Sequence, residues 1–414
     1  MNPSHVFRRS LILLAAALLL LSLAAAAQDL APPVPQRFTL HSAVLNEDRT
    51  IFVRTPRSYD QGKPAYPVLY LMDGPAHINE IGSTIDFLVS NDRMPPLIVV
   101  GIANTDRTRD LTPSHSDQKN PDGTVANPTS GGTDRFLDFV QHELMPEVEK
   151  RYRVAPYCIF AGHSLGGLVA IYTLVTRPDL FQAYIAVSPS LQWDDQRVLH
   201  QAQQFFAAHP ELNKTLFFSL GNEGNTPNPM GDGFEQLQKT LTAKAPKGFH
   251  WDSARYRDED HGSTVLRAHY AGLRTVFPDW QLPRDPNNGL PVGGLAGLEK
   301  HYSDLGARYG YAVPPPENVV NNLGYQLMAS KKLDDAIAAF QRNVELYPAS
   351  ANVYDSLGEG YETAGKFDLA TQNFEKAIAI GMQAGDPNLD QYQAHLQRVA
   401  AAKKAAADKA AGSK

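Results

Sequence analysis

The stretch that most constrains this chain is Tyr157-Cys158-Ile159-Phe160-Ala161-Gly162-His163-Ser164-Leu165-Gly166-Gly167. Its apolar first half reads as a buried strand, and Leu168 to Arg177 reads as a helix. A strand that turns into a helix across Gly-x-Ser-x-Gly needs neighbours without side chains at 162 and 166, so that Ser164 can point outward from a tight turn. The five-residue pattern alone arises by chance in about one chain in seven of this length. The weight therefore falls on the strand before it and the helix after it. Cys158, inside the strand, is expected to be a small buried filler.

The surrounding chain supplies the sheet such a turn requires. Alternating apolar residues over 37–46 and 49–55 predict an antiparallel strand pair, and the continuous apolar run 66–72 predicts a buried central strand. A helix to about Leu88, a strand over 97–103, a long polar loop over 105–133 and a helix over 134–152 follow. Beyond the turn, strands over 183–189, 215–220 and 249–257 alternate with helices over 195–208, 234–245 and up to Phe277. This alternation predicts an α/β fold, an open, mostly parallel, doubly wound sheet with helices on both faces. Ligands in such sheets bind beyond the carboxyl ends of the strands. Asp73, Ser164, Glu223 and His261 all fall there.

The ends of the chain are different. Arg8 and Arg9, an apolar run from Leu11 and the small residues Ala25-Ala26-Ala27 describe a secretory leader over 1–27, cut after Ala27; an uncleaved anchor is the alternative. A periplasmic or secreted location, with no membrane contact after cleavage, is the expectation. The formal charge of −6 becomes −8 without the leader, which argues against nucleic acid as a partner. The single cysteine excludes an internal disulfide. After a domain over 28–280, residues 281–316 read as a Pro- and Gly-rich linker with one short helix around Leu298 to Arg308. Leu323-Gly324, Ala336 and Phe340 then recur 34 residues on as Leu357-Gly358, Ala370 and Phe374, the spacing of two tetratricopeptide (TPR) repeats over 317–384. Met382 stands where the proline equivalent to Pro348 would fall. Residues 385–414 are expected to form a capping helix and a frayed, disordered tail. Such repeats imply a protein partner or self-association, or serve only as padding.

The chemistry follows from residue types. A serine hydroxyl needs a base within hydrogen-bond reach, and His261, flanked by Gly262, is the candidate. An acid must hold the imidazole; Glu223 has the right place, with Asp232, Asp258 and Asp260 as competitors. Two N–H donors must meet a developing oxyanion. Leu165 offers one; Pro75 has no N–H, so Gly74 or Ala76 must give the other. Asp73 is expected to brace that turn. Arg107, Arg109 and Asp110 either bind an anionic part of a substrate or pair with one another, and Trp193 is a candidate pocket wall. No His, Cys, Asp or Glu cluster has metal-ligand spacing, and the chemistry calls for no cofactor.

Residues 37–277 resemble the putative esterase family of α/β-hydrolases, which includes S-formylglutathione hydrolase (esterase D), siderophore (enterochelin) esterases, feruloyl esterases and mycolyltransferases. The stretches that carry the resemblance are Tyr66-Pro-Val-Leu-Tyr-Leu-Met-Asp-Gly74, Gly162-His-Ser-Leu-Gly-Gly167, Ser188-Pro-Ser190 and His261-Gly-Ser263. The resemblance implies hydrolysis of a small-molecule carboxylic ester, with Ser164 as nucleophile, His261 as base and Glu223 as acid. Pro75 departs from the family at the second oxyanion donor. Acyl transfer, cleavage of an amide or a siderophore lactone, and an inactive hydrolase fold acting as a binding module are the alternatives.

Overall fold

The computed structural model describes residues 33–59, 64–224 and 228–412, which fall into two compact units, up to Trp280 and from Gln281. The leader, residues 1–27, lies outside the described residues. No helix among the described residues is long and apolar enough to cross a membrane.

The first unit is built on an eight-stranded sheet. Its strands are β1 (Gln36–Ser42), β2 (Glu47–Arg54), β3 (Tyr66–Leu71), β4 (Ile98–Ile102), β7 (Val154–His163), β8 (Ala183–Val187), β9 (Thr215–Asn222) and β10 (His250–Asp260). They lie in the order β1-β2-β4-β3-β7-β8-β9-β10. Both ladders of β2 are antiparallel, and every other ladder is parallel. Every residue of β3, β4 and β8 is buried, which explains their unbroken apolar runs. Helices α1 (Gly74–Ser90), α5 (Leu165–Thr176), α6 (Trp193–Ala208), α7 (Pro229–Lys244) and α8 (Thr264–Val276) cover the sheet, and α1 packs beside α8.

Two segments depart from expectation. The long polar loop contains a short helix, α2 (Arg107–Asp110), and a hairpin of β5 (Ser116–Lys119) and β6 (Val125–Asn127). The helix expected over 134–152 is three pieces: α3 (Thr133–Phe139), a π-helical turn (Val140–Leu144) and α4 (Met145–Arg151). Pro146 explains the break, because it has no N–H to give and its ring meets the carbonyl one turn back.

The second unit is helical. The short helix expected around Leu298 to Arg308 is longer, the four-turn helix α9 (Gly294–Tyr309), which buries Leu298, Tyr302, Leu305 and Tyr309 and lies in this unit. Its apolar residues recur at helical spacing, and the glycines before Leu298 hide how far the helix extends toward its N-terminus. Two helix pairs follow, α10 (Glu317–Ala329) with α11 (Leu333–Leu346), and α12 (Ala351–Thr363) with α13 (Phe367–Ala384). A Cβ on Gly324 would stand 2.4 Å from the Phe340 ring, and one on Gly358 2.6 Å from Phe374, so both pairs close by the same fit of ring against bare backbone. The last helix, α14 (Leu389–Gly412), runs past the expected end near Ala406, in keeping with its many alanines.

Candidate active site

The turn at Ser164 is built by β7 and α5. A Cβ on Gly162 would lie 2.4 Å from the carbonyl carbon of Gly166, so only glycine lets strand and helix meet there. Ser164 has φ 60° and ψ −115°, a conformation that costs a non-glycine residue about 1–3 kcal/mol. The next strand holds it: Ser164 N donates to Val187 O (2.9 Å), and Ser164 O accepts from Ser190 N (3.1 Å). The Ser164 hydroxyl lies 3.3 Å from Ser190 Oγ. Leu165 begins α5, so its N–H has no helical acceptor.

His261 follows β10, and its Nδ1 lies 2.6 Å from Glu223 Oε2. Glu223 follows β9; its side chain is 4% exposed, while that of His261 is 40% exposed. Burial pushes the Glu223 carboxyl up, but hydrogen bonds from His261, Ser188 and the Gly221 N–H outweigh it and hold the group below its ordinary range. A carboxylate accepts only, so His261 donates from Nδ1 in this contact, and in the neutral ring Nε2 carries the lone pair. The competing acids stand elsewhere. Asp260 Oδ1 accepts from Gly262 N and Ser263 N, Asp258 pairs with Arg267 on the surface, and Asp232 is exposed in the first turn of α7.

Asp73 caps α1 in the left-handed conformation, after β3. Burial raises its carboxyl, but the bidentate Arg107 (2.8 and 3.0 Å) and Asn104 bring it below its ordinary value. Among the expected oxyanion donors, Ala76 is a correction: its N–H already donates to Asp73 O at 2.9 Å. Gly74, the first residue of α1, has no helical acceptor for its N–H.

Arg109 shows the second of the two expected alternatives, pairing. It is held by both Glu47 oxygens (3.0 and 2.7 Å) and by Asp110, beside the fully buried Arg49, so it locks the long loop to β2 rather than facing a ligand. Arg107 differs, with its side chain 36% exposed and Asp73 as its acidic partner. Trp193 Nε1 donates to Ser114 O, tying the long loop to the start of α6. Cys158, pushed up to about 12 by burial, is an inert filler.

Three residues gain partners here that the sequence analysis did not foresee. Ser188 and Ser190, in the Ser-Pro-Ser stretch, touch Glu223 and Ser164. His163, inside the Gly-x-Ser-x-Gly turn, lies with Nε2 2.8 Å from His261 O. Its place next to the serine was the one available signal. In the second unit, folding gathers a cluster that spacing does not reveal: Asp355, Glu359 and His395 converge with their ligand-type atoms within 4.8 Å. Arg398 already brings positive charge to Glu359 at 3.3 Å.

Residues 42–265 match the family described as "Putative esterase". Among curated relatives, a Bacillus subtilis protein named ferri-bacillibactin esterase BesA is 30% identical over 53% of this chain and 82% of its own length. An Emericella nidulans protein named siderophore enterobactin esterase is 30% identical over 51% of this chain and 82% of its own. Among solved structures, an IroE-like serine hydrolase from Shewanella oneidensis superposes with a TM-score of 0.66 at 30% identity, over 76% of this chain and all of its own.

Proposed function

The chain belongs to the putative esterase family, and from that premise we propose that it is an exported serine esterase working through an acyl-enzyme on Ser164. The observation that carries the reading is the 2.6 Å contact between His261 Nδ1 and the buried Glu223, beside a serine in a strained turn. The Ser164 hydroxyl rotates from Ser190 toward His261 Nε2 and attacks the ester carbonyl as the imidazole takes its proton. Glu223 keeps the imidazole in the tautomer that can accept and stabilises the imidazolium. The oxyanion is met by the N–H groups of Leu165 and Gly74. His261 then protonates the leaving alcohol, and water, activated by the same imidazole, releases the acid and regenerates Ser164.

Export rests on the leader over 1–27, and places the mature protein in the periplasm or outside the cell. The helix pairs α10–α11 and α12–α13 are read as two tetratricopeptide repeats, from the 34-residue period and their matched glycine–phenylalanine contacts. They would serve a protein contact or self-association. The names of the relatives favour a siderophore lactone as the ester over a simple acyl ester.

A fluorophosphonate probe tests the reading. Mature protein should label stoichiometrically and Ser164→Ala should not; folded wild-type protein that resists labelling would leave the inactive binding module. Hydrolysis rates on acyl esters, aryl esters and a ferric trilactone siderophore then rank the substrates.

A further inference from the structure

We propose that His163 is a positioning residue that fixes the main chain of His261 against the nucleophile's turn. The inference rests on the roles of Ser164 and His261 given above. His163 and His261 are 98 residues apart, yet Nε2 of the first lies 2.8 Å from the carbonyl oxygen of the second. A carbonyl oxygen only accepts, so Nε2 must carry the proton and donate. Burial first, and then the neighbouring His261, push the His163 ring down to about 4, so it is a neutral donor at neutral pH.

The base has use for such a strap because the sheet holds it only through a single pair beyond a break in register. The β9–β10 ladder is regular as far as Arg255, loses register, and re-forms only at Asp260 opposite Asn222, so His261 follows a single pair. The bonds from Gly262 and Ser263 to Asp260 are internal to the loop and cannot set its distance from Ser164. Glu223 fixes the ring at Nδ1, but it too lies just past its strand. His163, in contrast, ends β7 in the middle of the sheet, next to Ser164 in the chain.

His163 is itself held on two sides. The His77 ring meets it edge-on at 6.0 Å, and its carbonyl accepts from Arg107 Nη2 at 3.3 Å. The same guanidinium grips Asp73, before the proposed donor Gly74. One residue thus ties the turn after β3 through its main chain, and the base through its side chain. A displacement of about 1 Å at a reacting group costs roughly 100-fold in rate, which is the scale of effect a lost strap should approach.

The test compares His163→Leu, which removes the donor, with His163→Gln, whose amide nitrogen reaches about as far as Nε2. Leu should lower kcat and the fluorophosphonate labelling rate by roughly 10–100-fold, with KM nearly unchanged, and Gln should restore most of the loss. A Leu variant within twofold of wild type, or a Gln variant no better than Leu, overturns the inference. If the Leu protein does not fold, His163→Asn replaces it, since its shorter amide stays polar but cannot reach; Asn as active as Gln overturns the strap equally. Wild-type protein that fails to label would instead remove the esterase reading itself.

Discussion

The two units each contain a histidine held at Nδ1 by a buried carboxylate. In the first, His261 lies 2.6 Å from Glu223; in the second, His395 lies 2.9 and 3.1 Å from the two oxygens of Asp355. Both acids have side chains 4% exposed. What differs is the other nitrogen. The His261 ring is 40% exposed, and its Nε2 is the atom that the proposed mechanism aims at Ser164. Nε2 of His395 faces a second carboxylate, Glu359, at 3.8 Å, in a ring 11% exposed. An imidazole between two acids is suited to joining α14 to α12. An imidazole with one acid and a serine nearby can take a proton and give it back. In the proposed mechanism the pair itself does not make the site catalytic; its unpaired side does.

The environments of the acids differ in sign as well. Glu223 is held below its ordinary value because hydrogen bonds outweigh burial. Asp355 is raised, because burial outweighs the bond from His395. A lowered acid adds stability above its unfolded value, and that stability is lost as pH falls through the folded value. A raised acid favours folding below its unfolded value, and that contribution is lost as pH rises through the folded one.

The sharpest way to break the comparison is Glu223→Gln. It keeps the shape but removes the charge, so kcat should fall by roughly three to four orders of magnitude; a near-normal rate would end the proposed role. Next in size is His395→Ala, which leaves Asp355 buried without its partner. It should cost about 3–5 kcal/mol in denaturant unfolding, with esterase turnover unchanged at temperatures where the variant is folded. Asp355→Asn should be milder, within about 1 kcal/mol at neutral pH, because the site already resists the charge. The smallest effect is the pH difference. On acidification from about pH 5 to 3, Glu223→Gln should lose less thermal stability than wild type, whereas Asp355→Asn should lose more. Parallel curves would mean that the two acids do not differ in the way their surroundings imply.

Much of the fold was legible because its signals are local. The buried runs of β3, β4, β7 and β8 are set by neighbouring residues, and the strand–glycine–serine–glycine–helix turn needs no distant partner to be recognised. The length of α9 was underestimated because the glycines before Leu298 hide how far it extends. The π turn before Pro146 was missed because it follows from a clash between consecutive turns, not from apolar periodicity. Within the site, strand order brought Ser164, Glu223 and His261 to one edge, a topological consequence readable from the chain.

What the sequence alone determined is therefore the parallel sheet, the strained turn at Ser164 and the set of groups at its strand ends. Tertiary structure decided which of those groups touch. It brought Glu223 to His261 across 38 residues while Asp260 closed its own loop. It turned Arg109 away into an ion pair with Glu47, occupied the N–H of Ala76, and laid His163 against His261. The reason is physical: backbone conformation answers to neighbours in the chain, whereas hydrogen-bond and ion partners are chosen by proximity in space. That proximity exists only once the strands have packed.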